Sequence, residues 1–212
     1  MRFIALISLT FLMLSNYILS QDFESTNHPM SIGIEIGYKA GINAAEVPDG
    51  TKNGVSFASS PDFGAQFYMP FQGQNYMGIL ANIGYYNFPY KFTFEGNSSE
   101  VKYNAAYIGL GADFYVSGFT VGVNYGFPAA ATIGDAELNT EVMAGAFEFR
   151  LGAHIPMMVS SSGRLNLNIR ASYFVTGQYD ESKLIGGKNT NPAALMFGLS
   201  YLFNLQPQND DY

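Results

Sequence analysis

The chain has 212 residues, no Cys, 23 Gly, 15 Tyr, 18 Phe and only 13% charged side chains. That balance describes one domain of thin, closely packed strands rather than a solvated globule. The absence of Cys excludes a disulfide framework, a Cys-ligated metal and a lipid anchor on an N-terminal Cys, and a net charge of −7 argues against a nucleic-acid partner.

In chain order, residues 1–20, MRFIALISLTFLMLSNYILS, form a secretory signal peptide: Arg2 is the positive start, an apolar run follows, and Ser20 is a small residue at the cut. The run is too short, and too broken by Ser15 and Asn16, for a membrane anchor. Residues 21–30 are a short N-terminal segment. No apolar stretch of about 18 residues recurs beyond it, so no transmembrane helix follows.

Period-2 alternation then begins. SIGIEIGYKAGIN (31–43) sets Ile32, Ile34, Ile36 and Tyr38 against Gly33, Glu35, Gly37 and Lys39. The pattern returns in 62–71, 76–86, 106–116, 119–127, 142–157, 163–179 and 194–205. Eight strands result, each near or above the roughly 9–11 residues that cross a membrane at a tilt. The connections at 45–60, 72–75, 87–105 (partly strand extension), 117–118, 128–141, 158–163 and 180–193 alternate long and short, as in a meander whose two ends face different compartments. Every Pro is expected outside a strand or at its end. The barrel is assigned to 31–205, with 206–212 as a C-terminal tail.

Volume decides which face is inside. Twelve glycines, among them Gly64, Gly84, Gly109 and Gly122, share the polar faces, and only Gly145 and Gly177 fall on the apolar ones. An eight-stranded barrel has an interior just wide enough for side chains to fill. The Gly-rich polar face fits there, and the face carrying most of the Phe and Tyr does not. An outside so apolar belongs in lipid. Outward aromatics gather at the strand ends: Phe71, Phe114, Phe119, Tyr201 and Phe203 at the short-turn side, and Phe63, Tyr85, Tyr125, Phe127 and Tyr179 at the long-loop side. The expected fold class is an all-β, eight-stranded, antiparallel up-and-down transmembrane β-barrel.

On these strands the chain resembles the small bacterial outer-membrane barrels of the OmpA/OmpX-like and PorT-like families. In the last strand, MFGLSYLF resembles their C-terminal targeting signal, with Gly198 followed by Tyr201 and Phe203. Met196 departs from it, standing where that signal has a polar residue. The junction ILSQDF resembles signal-peptide junctions of Bacteroidota, with Gln21 as the new N-terminus. The resemblance implies residence in the outer membrane, contact with its lipid, and delivery through the barrel-assembly machinery by the last strand.

The polar faces bring Glu35, Lys39, Asp62, Asp113, Glu148, Arg150, His154 and Arg170 into one lumen. Buried charge must pair, so a salt-bridged plug is the expected reading, with a gated pore or proton site as its competitor. Glu148 is expected to pair with Arg170 or Lys39, and Glu35 with a remaining base. His154 lies near the short-turn end, with Ser160, Ser161 and Ser162 nearby. A structural role is expected for it, because nucleophilic catalysis needs a Ser–His pair with an orienting third group. One imidazole does not make a metal site, and no cofactor is expected. A soluble lipocalin-like barrel would need the reverse glycine distribution. The sequence therefore points to a non-enzymatic barrel, structural or adhesive or part of an envelope complex that meets a protein partner through its loops. A narrow channel and a lipid-modifying enzyme are the alternatives.

Overall fold

The computed structural model describes residues 29–72, 74–96, 99–180, 182 and 189–205. The expected signal peptide, the segment before residue 29 and the 206–212 tail lie outside the described residues. Eleven strands follow in order: β1 (Ser31–Asn43), β2 (Thr51–Gly54), β3 (Ser56–Phe57), β4 (Asp62–Phe71), β5 (Gln74–Phe94), β6 (Glu100–Val116), β7 (Phe119–Ile133), β8 (Ala136–Glu137), β9 (Ala146–Ser160), β10 (Gly163–Phe174) and β11 (Pro192–Asn204).

Eight of them close a ring, β1–β4–β5–β6–β7–β9–β10–β11, and β11 pairs back onto β1 along its whole length. Every pairing is antiparallel. The short strands β2, β3 and β8 are additions at the long-loop end, on β5, β1 and β7 respectively. Closure leaves no edge in the ring, so its backbone donors and acceptors are satisfied within the wall.

The register also fixes the shape. From Gly33 the ladder passes through Gln66, Asn82, Gly111, Asn124, Glu148 and Phe174, then returns to β1 beside Asn43, ten residues further up the strand. With strand rise and spacing of about 3.3 and 4.8 Å, that stagger tilts the strands by roughly 40° from the barrel axis. The hydrogen-bonded rows climb around the barrel correspondingly.

The two faces separate as the alternation requires. In β1, Ile34 is 63% exposed while Glu35 beside it is 3% exposed. Ile36 repeats the exposed side on β1, and Leu110, Phe127, Leu151 and Phe197 repeat it on other strands. The interior holds the charges. At the tightest connection, Ser117 and Gly118 both take positive φ (47° and 88°), as a two-residue hairpin demands.

Three boundaries differ from the sequence expectation. The hairpin β5–β6 runs on to the pair Thr93↔Glu100, and β7 follows β6 as far as Ile133. Alternate residues Tyr86, Phe88, Tyr90 and Phe92 carry the period onward into 87–105, which reads only partly as strand, and all four are buried. At the sixth strand, residues 142–145 do not join the sheet: a single 3₁₀ turn at Thr140–Val142 precedes it and β9 starts at Ala146. The seventh ends at Phe174, so Tyr179 makes only an isolated bridge to Met143.

The prolines do not all avoid the strands. Pro128 and Pro156 sit in β7 and β9 beside register shifts, where the ladder is already interrupted. Pro89 falls in β5 between the last pair with β4, at Tyr85, and the first pair with β2, at Lys91. Its missing N–H breaks no bond there.

Candidate functional site

The lumen is filled in three layers. At the short-turn end Tyr68, Leu80 and Tyr115 form an apolar floor, with the Tyr68 and Tyr115 rings edge to face at 5.2 Å. At the long-loop end Tyr86, Phe88, Tyr107 and Phe174 pack with Ala105, Ala131, Met143, Ala146 and Ala194 as a mouth cluster. Phe88 and Phe174 are 4.1 Å apart by ring centroid. Above them the Tyr90 hydroxyl meets those of Tyr179 (3.2 Å) and Thr190 (3.3 Å). Tyr179 therefore closes the mouth instead of joining the outer aromatic belt, because the chain leaves the sheet after Phe174 and folds inward.

Glycines make room for these large groups. A Cβ on Gly84 would stand 2.6 Å from the Phe63 carbonyl oxygen and 2.9 Å from Tyr86 Cζ. On Gly109 it would meet Tyr86 Cδ2 at 2.8 Å and Asn124 Nδ2 at 2.6 Å. Gly84 and Gly109 are paired across β5 and β6. The ring of Tyr86 thus lies along a strip of bare wall.

Between floor and mouth lies the charged layer. Glu35 accepts from Arg170 twice, Nη1 to Oε1 at 3.0 Å and Nη2 to Oε2 at 2.5 Å. It also accepts from Asn168 (3.0 Å) and Gln66 (2.9 Å). Glu148 accepts from Arg150 Nε at 2.9 Å and Asn124 Nδ2 at 3.0 Å. Arg150 spans to Asn82 Oδ1 (2.6 Å) and lies 4.5 Å from the centre of the Tyr86 ring. Higher up, Lys39 meets Asp62 at 2.9 Å and stands 3.9 Å above the centre of the Phe88 ring. The other Asp62 oxygen accepts from the Asn87 backbone (2.7 Å) and side chain (3.0 Å).

The expected pairing of Glu148 with Arg170 or Lys39 is corrected to Arg150, two residues along its own strand. The inclined rows are the reason. Groups that read as level across a flat sheet are displaced along the barrel axis, so Arg170 reaches over β11 to Glu35 and the Arg150 side chain turns back on Glu148. Asp113 joins through a neutral partner, accepting from Asn82 Nδ2 at 3.0 Å, while its Oδ1 has no hydrogen-bond partner among the described residues.

His154 is buried against the edge of Tyr115 at 6.2 Å between ring centroids, and its Nδ1 has no hydrogen-bond partner among the described residues. Ser160 and Ser162 bond to each other at 2.9 Å, and none of their hydrogen bonds goes to His154. In the last strand Gly198 opposes Gly37 at the β1–β11 seam, and the outward rings of Tyr201 and Phe203 meet edge to face at 4.5 Å. Met196 faces the lumen, fully buried, with Arg170 Nη1 3.9 Å from its sulfur.

Sequence reasoning missed two parts. Arg164 has the same parity as Arg170, points inward and is 4% exposed. Its guanidinium lies 4.8 Å and 5.5 Å from the centres of the Tyr68 and Tyr115 rings and forms no ion pair among the described residues. The amides Gln66, Asn82, Asn124 and Asn168 were the other omission; parity placed them inward, but only the three-dimensional register shows that they bridge the charges. The arrangement can hold the wall rigid and block passage.

No protein-family model matches this chain, and no curated protein does. Among solved structures, the outer membrane protein OprG from Pseudomonas aeruginosa is 15% identical, over 84% of this chain and 98% of that one, at a TM-score of 0.40. The outer membrane protein AlkL in lipid bilayers is 16% identical, over 86% and 94%, at 0.41. Neisserial surface protein A is 13% identical, over 81% and 95%, at 0.43.

Proposed function

We propose that this protein is a non-enzymatic outer-membrane barrel whose lumen is filled and whose long loops are its working surface, in a structural or adhesive role or as part of an envelope complex. The observation that carries this reading is the inversion of polarity. Ionic pairs and amides occupy the interior, while Ile34, Ile36, Leu110, Leu151 and Phe197 stand exposed on the wall. Such a surface is unstable in water and at home in lipid. Aromatic pairs stand on the same wall, Phe63–Tyr85 stacked at 5.4 Å and Tyr201–Phe203 edge to face at 4.5 Å.

A filled interior favours a scaffold over a pore: floor and mouth are both apolar, and the charged layer between them is buried. The expected result is fractionation with the outer membrane, and a gel mobility that changes on heating. Recovery as a soluble periplasmic protein would refute the membrane reading. Steady conductance of the wild type in planar bilayers would refute the filled lumen and promote the channel.

A further inference from the structure

The outside of the barrel carries an open apolar groove of about 860 Å³. It runs obliquely across the wall, along the hydrogen-bonded rows rather than along a strand. Its lower rail runs from Leu165 through Ile34 to Ile83. The upper rail runs from Leu199 through Ile36 to Ile108. Between the rails Glu35, Gly64 and Gly84 line the floor; they are successive partners in one row, and their side-chain positions point into the lumen. Midway along the lower rail Ala65 leaves a gap where its neighbours carry branched chains.

We propose that this groove seats one acyl chain of a phospholipid from the leaflet at the short-turn end. The inference rests on the membrane reading above. Dimensions support it. The groove crosses six strands, from β10 to β6, so it is about 24 Å long at an interstrand spacing of about 4.8 Å. Rows perpendicular to strands tilted by roughly 40° rise by about 15 Å over that length. Half of a hydrocarbon core of about 30 Å is the same depth, which is the reach of a single leaflet.

The two ends differ. The lower end opens beside Tyr201, whose hydroxyl is 3.4 Å from Ser162 Oγ, so polar groups stand where an ester or headgroup would lie. The upper end lies against the stacked ring faces of Phe63 and Tyr85 and the aliphatic Ile108, and apolar faces of that kind suit a chain terminus. A chain entering from below therefore meets polar groups first and aromatic faces last.

The full-length barrel, refolded into vesicles of phosphatidylethanolamine and phosphatidylglycerol and then extracted, should carry one phospholipid per chain by native mass spectrometry. Ala65→Phe fills the groove at its middle and should retain at least ten-fold less. Leu151→Phe, on β9 and away from the groove, should retain as much as the wild type. A nitroxide near the chain end should broaden NMR signals of Phe63 and Tyr85, and one on the headgroup should broaden Tyr201. No retained lipid, equal retention by Ala65→Phe, or the reverse broadening order would overturn the proposal. The heat-dependent gel shift is read on the same vesicles. A shift without bound lipid removes the groove site alone, and no shift removes the membrane reading on which it rests.

Discussion

Glu35 is the point at which the lumen is most easily tested. Four donor atoms converge on its carboxylate: two from Arg170 and one each from Asn168 and Gln66. Glu35→Ala removes the ionic partner that Arg170 has among the described residues and leaves a guanidinium 3% exposed inside a closed wall. Apart from Glu35, the Met196 sulfur 3.9 Å away is the one hydrogen-bond acceptor of that guanidinium among the described residues, and a thioether is a weak acceptor. Breaking one side of a buried pair costs about 3–5 kcal/mol, or roughly two to three and a half powers of ten in the folding equilibrium. Glu35→Leu with Arg170→Met removes both charges at similar volume, and should recover most of that loss because desolvation of the pair disappears with its attraction. The assay is reversible urea unfolding in lipid vesicles, read by gel mobility and tyrosine fluorescence. A Glu35→Ala protein within about 1 kcal/mol of wild type would refute the reasoning, for it would mean that water reaches Arg170 and that the lumen is not closed.

On the outer wall, Leu167→Arg and Val123→Arg should each cost about 2–4 kcal/mol in bilayer unfolding, as charge at mid-membrane does, and wild-type stability in either would reverse the face assignment. Gly84→Ala should cost about 1–3 kcal/mol by forcing a methyl against the Phe63 carbonyl and the Tyr86 ring; thermal unfolding in detergent measures it. Planar-bilayer conductance should be negligible for wild type and should rise in Arg170→Ala, where both the plug and its pairing are lost. At the exposed tip of the β5–β6 hairpin, Lys91 beside Glu100 (2.6 Å) holds that carboxyl below its usual range. A depressed carboxyl contributes order that is present above its unfolded pKa and lost as pH falls through the folded one. Amide exchange at Thr93 and Glu100 should therefore accelerate only under acid conditions, and in Glu100→Gln that acid dependence should vanish.

The ring of eight was legible because alternation is a property of each strand by itself. Gly33 or Glu35 is assigned to a face by parity alone, and the glycine count then says which face has room. The extension of β5 through Tyr86, Phe88, Tyr90 and Phe92 was legible in part, since the period continues without a break and 87–105 reads partly as strand; only its length, to Phe94, needed the structure. The pairing was not legible. Whether Glu148 meets Arg150 or Arg170 depends on the stagger of closure, and stagger is a sum over all eight pairings that no single strand encodes. Arg164 shows a second limit. Parity placed it inside, but its neighbours are ring faces rather than carboxylates, and a cation over aromatic rings leaves no spacing motif in the chain.

The three layers of the lumen have different consequences for passage. The charged layer is polar, and by itself it would be a hydrophilic conduit; the apolar clusters lie at its two ends. Tyr68, Leu80 and Tyr115 close one end, and Phe88, Tyr107 and Phe174 close the other. These groups fit only because facing positions are bare: Gly78 lies under the Tyr68 ring, with Tyr68 Cε2 2.8 Å from where a Cβ would stand, and Gly126 lies 3.0 Å by the same measure from Tyr107 Cβ. Each glycine lacks packing area of its own and gains it from the aromatic laid across it, so wall and plug form one packed unit. Opening the lumen therefore requires moving a ring off its glycine, which exposes apolar surface on both at about 25 cal/mol per Å². The ionic pairs fix which strands face each other, and the aromatic–glycine contacts fix whether anything passes between them.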